Sequence, residues 1–327
     1  MTIHKPVLLE EVIENLKLKN GDVIVDATLG GGGHSAEILK RILPDGILIA
    51  VDQDADAIEK FKVKSEKFLP LAEKVKGKIF LVNDNFANLD KILADLKIEK
   101  VDKIMADFGI SSDQLEAERG FSFQKDAPLD MRMDQKGEMT AEKIVHDCSE
   151  EELARIFSEY GEEKFAKKIA REVSKQRKVK PIKTTFDLVS IIGNSIPEKY
   201  KHQRIPRKSQ GGTRGRHFAT RVFQALRIEV NGELEKIKEF IPKTIEVLNK
   251  KGRLAVITFH SGEDRIAKEI FRENARGCIC PPTFPVCRCG KEPKIKIVNK
   301  KPILPSAGET GSNPRSRSAK LRIIEKL

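Results

Sequence analysis

The sequence predicts an α/β protein: a Rossmann-like sheet of seven strands interrupted by an inserted α-helical domain. Three observations carry this. Short apolar runs alternate with helix-period stretches as far as Asp107, the mark of a doubly wound parallel sheet. The alternation stops between about Ser111 and Gly215, where only helical patterns occur, and then resumes. A run of four glycines joins the first strand to the helix after it, at the strand end where such sheets bind ligands.

The elements follow in order. Apolar residues at Leu8, Val12, Ile13 and Leu16 give a helical period over Val7–Leu18, ended by Asn20-Gly21. Asp22–Ala27 reads as a buried strand, and a helix runs from about His34 to Ile42. Gly46–Asp52, Lys78–Val82 and Val101–Asp107 are the next strands, separated by helices over Asp56–Phe68 and Leu89–Leu96. Ser149–Tyr160 and Glu162–Lys175 are helices of the insertion. Helical stretches from Ala219 to Asn249 lead to a strand at Arg253–Phe259 and a helix at Glu263–Glu273. Lys294–Val298 and Lys320–Ile324 complete the sheet. Residues 1–112 and 216–327 are therefore expected to build one domain, with 113–215 inserted into it.

Charge distinguishes the insertion. The chain carries a formal +12, and Lys164–Arg221 holds 17 Lys/Arg against three acids, leaving the remainder slightly negative. Such a block attracts a polyanion by releasing its counterions; the plainer reading is a solvated helical face. Arg204, Arg207, Arg214 and Arg216 lie among Gly, Pro and Ser, where a loop can follow a nucleic-acid backbone. Aromatic residues are scarce there, so phosphate contacts are expected rather than stacking on many bases. No apolar run reaches the roughly 18 residues of a membrane span. The first residues lack the apolar core of a secretory signal. With cysteines clustered rather than spread as a disulfide framework, the expected location is the cytoplasm.

The turn Asp26-Ala27-Thr28-Leu29-Gly30-Gly31-Gly32-Gly33-His34-Ser35 is the first chemical signal. A dinucleotide fingerprint starting at Gly30 and Gly32 fails at Ser35, and the Lys of a Walker loop is absent. What remains is D-x-x-x-G-x-G from Asp26, the pattern of methyltransferases that use S-adenosylmethionine. An acid at Asp26 can accept from the amino-acid end of that cofactor, and Asp52, ending the second strand, from the ribose hydroxyls. Phe86 stands after the third strand, either against the adenine or in the core. Asp107 ends the fourth.

The stretches His4–Leu9, Asp26–Ser35, Asp107–Leu115, Arg119–Phe123, Pro128–Asp134, Tyr160–Glu163, His217–Arg227, Phe259–Arg265 and Asn313–Ser318 together closely resemble those of the bacterial RsmH (MraW) family of 16S rRNA cytosine-N4 methyltransferases. The resemblance implies cofactor contacts at Gly32, Gly33, His34, Asp52, Phe86, Asp107 and Gln114. It also implies methylation of the exocyclic amine of a decoding-centre cytidine in small-subunit rRNA, whether in a small ribosomal subunit or in a late assembly intermediate. Two positions depart from the family pattern: Gly262 replaces a usual Leu, and Phe218 a usual Pro.

For the chemistry, a cytosine amine is a poor nucleophile, and an acceptor for its N–H bonds would help it. Asp107 is the first candidate. His260 follows the fifth strand and either faces the same cleft or caps the next helix. Asp130 and Arg132 either shape a base pocket or pair with each other. Phe121 and Phe123 either stack on an extruded base or pack in the core. Last, Cys278-x-Cys280, six residues, and Cys287-x-Cys289 offer four thiols with the ligand set of a structural zinc; free thiols are the alternative.

Overall fold

A computed structural model describes residues 6–66, 78–201, 217–281, 286 and 288–327. The chain forms two compact units. One joins the chain up to Ser111 with Leu234–Leu327; the other is Ser112–Glu233.

The first unit holds a seven-stranded sheet of β1 (Val23–Asp26), β2 (Ile47–Asp52), β3 (Lys78–Asn83), β4 (Val101–Asp107), β5 (Leu248–Thr258), β6 (Ile295–Ile297) and β7 (Lys320–Lys326). Their order is β3-β2-β1-β4-β5-β7-β6. The first five are parallel, and β7 runs antiparallel between β5 and β6. Parallel strands buried on both faces need continuous apolar runs. Ile24-Val25 and Leu48-Ile49-Ala50-Val51 supply them, all at most 1% exposed. Helices Leu9–Leu16, Gly33–Ile42 and Ala55–Ser65 contribute Leu16, Leu39 and Phe61 to a core with Ile24, Leu48, Met105, Ile257 and Ile323. Because β1, β2, β3, β4 and β5 are parallel, Asp26, Asp52, Asn83, Asp107 and Thr258 all end at one edge. Chain order reverses on either side of β1, the point where open α/β sheets leave a crevice.

Two expected boundaries move. Strand β5 begins at Leu248, not Arg253, because Leu248 pairs with Val101 before the register shifts and Arg253 pairs with Lys103. Lys251 takes up the irregularity with a left-handed φ of 63°. The end of the insertion falls at 233/234 instead of 215/216. Helix Thr220–Asn231 packs on helices Ala141–Asp147 and Glu150–Glu159 of the inserted unit, burying Val222, Phe223 and Leu226. Gly232, with φ 59°, ends that helix before Glu233–Val247 begins. The inserted unit is helical; its described residues add only an isolated bridge, Pro128 to Thr184. Capping boxes at Ser149 and Thr184 start two of its helices.

Candidate cofactor site

The glycine turn ties three strand ends together through named hydrogen bonds. Asp26 is buried, with Oδ2 accepting from Ser35 Oγ at 2.6 Å and Oδ1 from the Thr28 amide at 3.2 Å. Thr28 Oγ1 in turn accepts the Asp107 amide at 2.6 Å. Asp52 Oδ2 accepts the Gly30 amide at 2.7 Å, and its Oδ1 the Asp54 amide at 2.9 Å. Asp26 is 1% exposed, so its carboxylate sits inside the turn that it holds together. Asp52 is only half-buried, and each of its oxygens keeps a lone pair for a further donor. Burial pushes the carboxyls of Asp26 and Asp52 up to about 6.

Gly32 caps helix Gly33–Ile42 in the left-handed region, φ 72°. A Cβ there would lie 2.1 Å from Phe61 Cδ2, so only glycine lets the turn sit on that ring. The His34 ring is committed to the Val7 carbonyl, 3.0 Å from Nε2. Its backbone amide stands in the first turn of helix Gly33–Ile42.

Asp107 differs from the other two acids. Its Oδ1 is buried without a hydrogen-bond partner. Burial, with the charges of Asp26 and Glu263 beside it, holds its carboxyl well above the usual carboxylate range. A buried orphan acceptor costs about 1–3 kcal/mol, and such costs gather at functional sites.

His260 takes the capping alternative. It is the N-cap of helix Ser261–Ala275, and its Nδ1 accepts the Gly262 amide at 3.2 Å. Nε2 lies 3.0 Å from Glu263 Oε1 but off the line of a hydrogen bond. Glu263 Oε2 completes the capping box, accepting the Phe259 amide at 2.7 Å and the His260 amide at 3.2 Å. Both ring nitrogens face the start of its own helix, so His260 is a capping residue and not a free base. The departure at Gly262 bears on this: a Cβ there would press on the His260 ring at 3.2 Å.

Phe86 is half-buried, 5.5 Å from Phe108 and 5.1 Å from Phe240 between ring centroids. It belongs to an aromatic wall beside β4 and still reaches the surface.

This edge thus presents a glycine turn opening a helix, a carboxylate with spare lone pairs, an aromatic wall and an orphaned acid. The sequence profile of the MraW methylase family matches residues 1–327. The chain belongs to the MraW methylase family. A ribosomal RNA small subunit methyltransferase H of Clostridium botulinum (strain Loch Maree / Type A3) is 50% identical over 325 residues, 99% of each chain. Proteins of the same name from Halothermothrix orenii and Brevibacillus brevis are 46% and 45% identical. The first alignment covers 100% of this chain and 99% of the relative, the second 99% and 98%. As an MraW methylase the protein is an enzyme, a methyltransferase built on the α/β sheet described above.

Other candidate residues of this methylase lie in the inserted unit. Gln114 is buried on helix Ser112–Glu116. Phe121 is 6% exposed with the Arg119 guanidinium 5.6 Å from its ring centre, so it is a core residue. Phe123 is half-buried and stacks on His217, 4.6 Å between centroids at 16°. Asp130 and Arg132 pair with each other: Nε to Oδ1 and Nη2 to Oδ2 are both 2.7 Å. Arg132 Nη1 also donates to the Gln135 and Gly137 carbonyls, so its guanidinium is spent on its own loop. Arg204, Arg207, Arg214 and Arg216 lie outside the described residues.

Cys278, Cys280 and Cys289 converge, their sulfurs within 4.8 Å of one another, while Cys287 lies outside the described residues. The Ile279, Cys280 and Arg288 amides donate to these sulfurs at 3.3–3.4 Å. Thr28, Ser35 and Glu263 are the site residues that motif reading missed. For Thr28 and Ser35 the signal was present, in polar side chains flanking the glycines beside two strand-end acids.

Proposed function

We propose that this methylase transfers the methyl group of S-adenosylmethionine to the exocyclic N4 amine of a decoding-centre cytidine in 16S rRNA. It would act in the cytoplasm, on a small ribosomal subunit or a late assembly intermediate. The observation that carries the reading is the agreement, over 99% of the chain, with a relative named ribosomal RNA small subunit methyltransferase H. The basic block at 164–221 supports an RNA partner. No helix among the described residues is long and apolar enough to cross a membrane.

The residues fit the cofactor. Its amino-acid end would meet the amides opening helix Gly33–Ile42, its ribose the spare lone pairs of Asp52, and its base the wall of Phe86. The bound sulfonium supplies an activated methyl and its own leaving group. The chain must place the amine behind that methyl and exclude water. Asp107 Oδ1 is the acceptor we assign to an N–H of the incoming amine. A nearby cation would draw the Asp107 carboxyl back toward its ionised form. Phe123 is the better candidate for stacking on an extruded base, since Phe121 is buried. Mass mapping of small-subunit rRNA from cells with and without this gene tests the reading. Loss of one cytidine N4 methyl is expected; identical maps would defeat it.

The cysteine loop is proposed to hold one structural zinc through Cys278, Cys280, Cys287 and Cys289. Tetrahedral Zn–S bonds of about 2.3 Å place two sulfurs about 3.8 Å apart. Cys278 and Cys289 Sγ are 3.8 Å apart. The N–H···S donations favour thiolates, the ligating form. Elemental analysis of protein purified without added metal or chelator is expected to give one zinc per chain. A zinc-free, fully folded and active protein would leave four free thiols.

A further inference from the structure

On the helix-covered face of the β7–β6 edge is a pocket of about 270 Å³. Helix Ser261–Ala275 packs over β5, β6 and β7 there. Phe271 and Ile297 line the pocket together with four cations, Lys268, Arg272, Lys300 and Arg322, and no acid. Lys268 and Arg272 are one helical turn apart on the same face. Asn299 anchors the loop carrying Lys300: its Oδ1 accepts the Ile323 amide at 2.7 Å and its Nδ2 donates to the Leu321 carbonyl at 2.8 Å.

Asp264, one turn before Lys268, is already doubly used. Its Oδ1 takes Arg322 Nε at 2.7 Å and its Oδ2 takes Lys320 Nζ at 3.0 Å. Arg322 is therefore buried and fixed, and among the described residues its two terminal nitrogens have no acceptor. Lys268, Arg272 and Lys300 likewise have no acidic partner among them. A merely solvated basic face does not need a buried arginine held with its donor fork open. A planar fork backed by lysines is the arrangement that grips a phosphate.

We propose that this pocket holds a phosphate of an RNA backbone, giving the methyltransferase unit an RNA contact of its own, separate from the basic block of the insertion. The proposal rests on the rRNA reading above for its ligand. Lys268→Gln/Lys300→Gln tests it, since both side chains reach solvent and neither supports Asp264 or Arg322. RNA affinity is measured over a salt series for wild type and variant, with cofactor affinity as the folding control. The variant is expected to bind RNA roughly tenfold more weakly. Its slope of log K against log salt should be flatter by about one unit. Cofactor affinity should be unchanged. Coincident lines would overturn the proposal, whatever the methylation result. Failure of the wild type to methylate rRNA, with the slopes still different, would defeat the substrate reading and leave the pocket standing. Inorganic phosphate, followed by phosphorus NMR, is the second probe. Tight phosphate binding by wild type with coincident RNA lines would assign the pocket to free phosphate and overturn the RNA contact.

Discussion

Asp107→Asn is expected to lower methyl transfer about ten- to a hundredfold: the asparagine oxygen still accepts, and what is lost is the charge that strengthens the hydrogen bond in the transition state. As the amine attacks, its nitrogen becomes positive and its N–H bonds become stronger donors. An acceptor on one of them therefore binds the transition state more tightly than the ground state. Asp107 Oδ1 is a buried acceptor with nothing to accept from. The amide keeps the shape and loses the charge, so the effect should fall mainly on kcat. The resemblance implies a cofactor contact at Asp107 as well; on that proposal a shift in cofactor Kd within about tenfold is expected.

Stability is expected to move the other way. Burial beside Asp26 and Glu263 raises the Asp107 carboxyl above its unfolded value of 3.8. The native state then holds its proton more tightly than the unfolded chain. The carboxyl subtracts nothing below that unfolded value, and subtracts increasingly as pH rises toward the folded one. Asp107→Asn removes this penalty, so the variant should melt at or above wild type at neutral pH, with the gap closing in acid. A variant with wild-type turnover would remove Asp107 from the chemistry. One that is inactive and also strongly destabilised would make it a structural residue.

The sheet was legible because its signal is local: short apolar runs such as Leu48–Val51, bounded by turn residues and alternating with helix-period stretches, read as strands buried on both faces. That the glycine turn and the acids share one edge was legible as well, since they fall at strand ends. Side-chain commitments were legible only as alternatives, such as the Asp130–Arg132 pair and the His260 cap, because a sequence pattern does not say which partner a polar group will take. Asp26 reads as a ligand acid until Ser35, the residue that breaks the dinucleotide pattern, closes on it at 2.6 Å. His260 reads either as a group facing the cleft or as a helix cap, and with Glu263 three residues on it forms a capping box in which histidine takes the place of the usual Ser or Thr. The boundary at 233/234 was hidden for a related reason. Helix Thr220–Asn231 has an ordinary amphipathic pattern, and nothing in that pattern says which unit its apolar face will cover.

Asp52→Ala is expected to weaken S-adenosylmethionine binding about 10- to 150-fold, the loss of a charge-assisted hydrogen bond worth roughly 1.5–3 kcal/mol. The alanine also strips the Gly30 and Asp54 amides of their acceptor, so part of its effect would come from a loosened turn. Asp52→Asn separates the two, since its carbonyl oxygen can still accept one of those amides. The same carboxyl predicts a pH dependence. Burial raises Asp52 to about 6, and ribose hydroxyls donate best to the ionised form. Affinity should therefore be flat above about pH 7 and fall as Asp52 takes up its proton, by roughly tenfold between pH 7 and pH 5 for one such group. Asp26 titrates in the same range and repels Asp52, so the fall belongs to the pair. Calorimetry over pH 5–8 on wild type and Asp52→Asn is the measurement. The wild type should show the fall and the asparagine variant a shallower one, set by Asp26 alone. Equal affinity of wild type and both variants at pH 7.5, or superimposable pH profiles, would move the ribose away from Asp52. The carboxylate at the end of β2 would then serve only to hold the glycine turn.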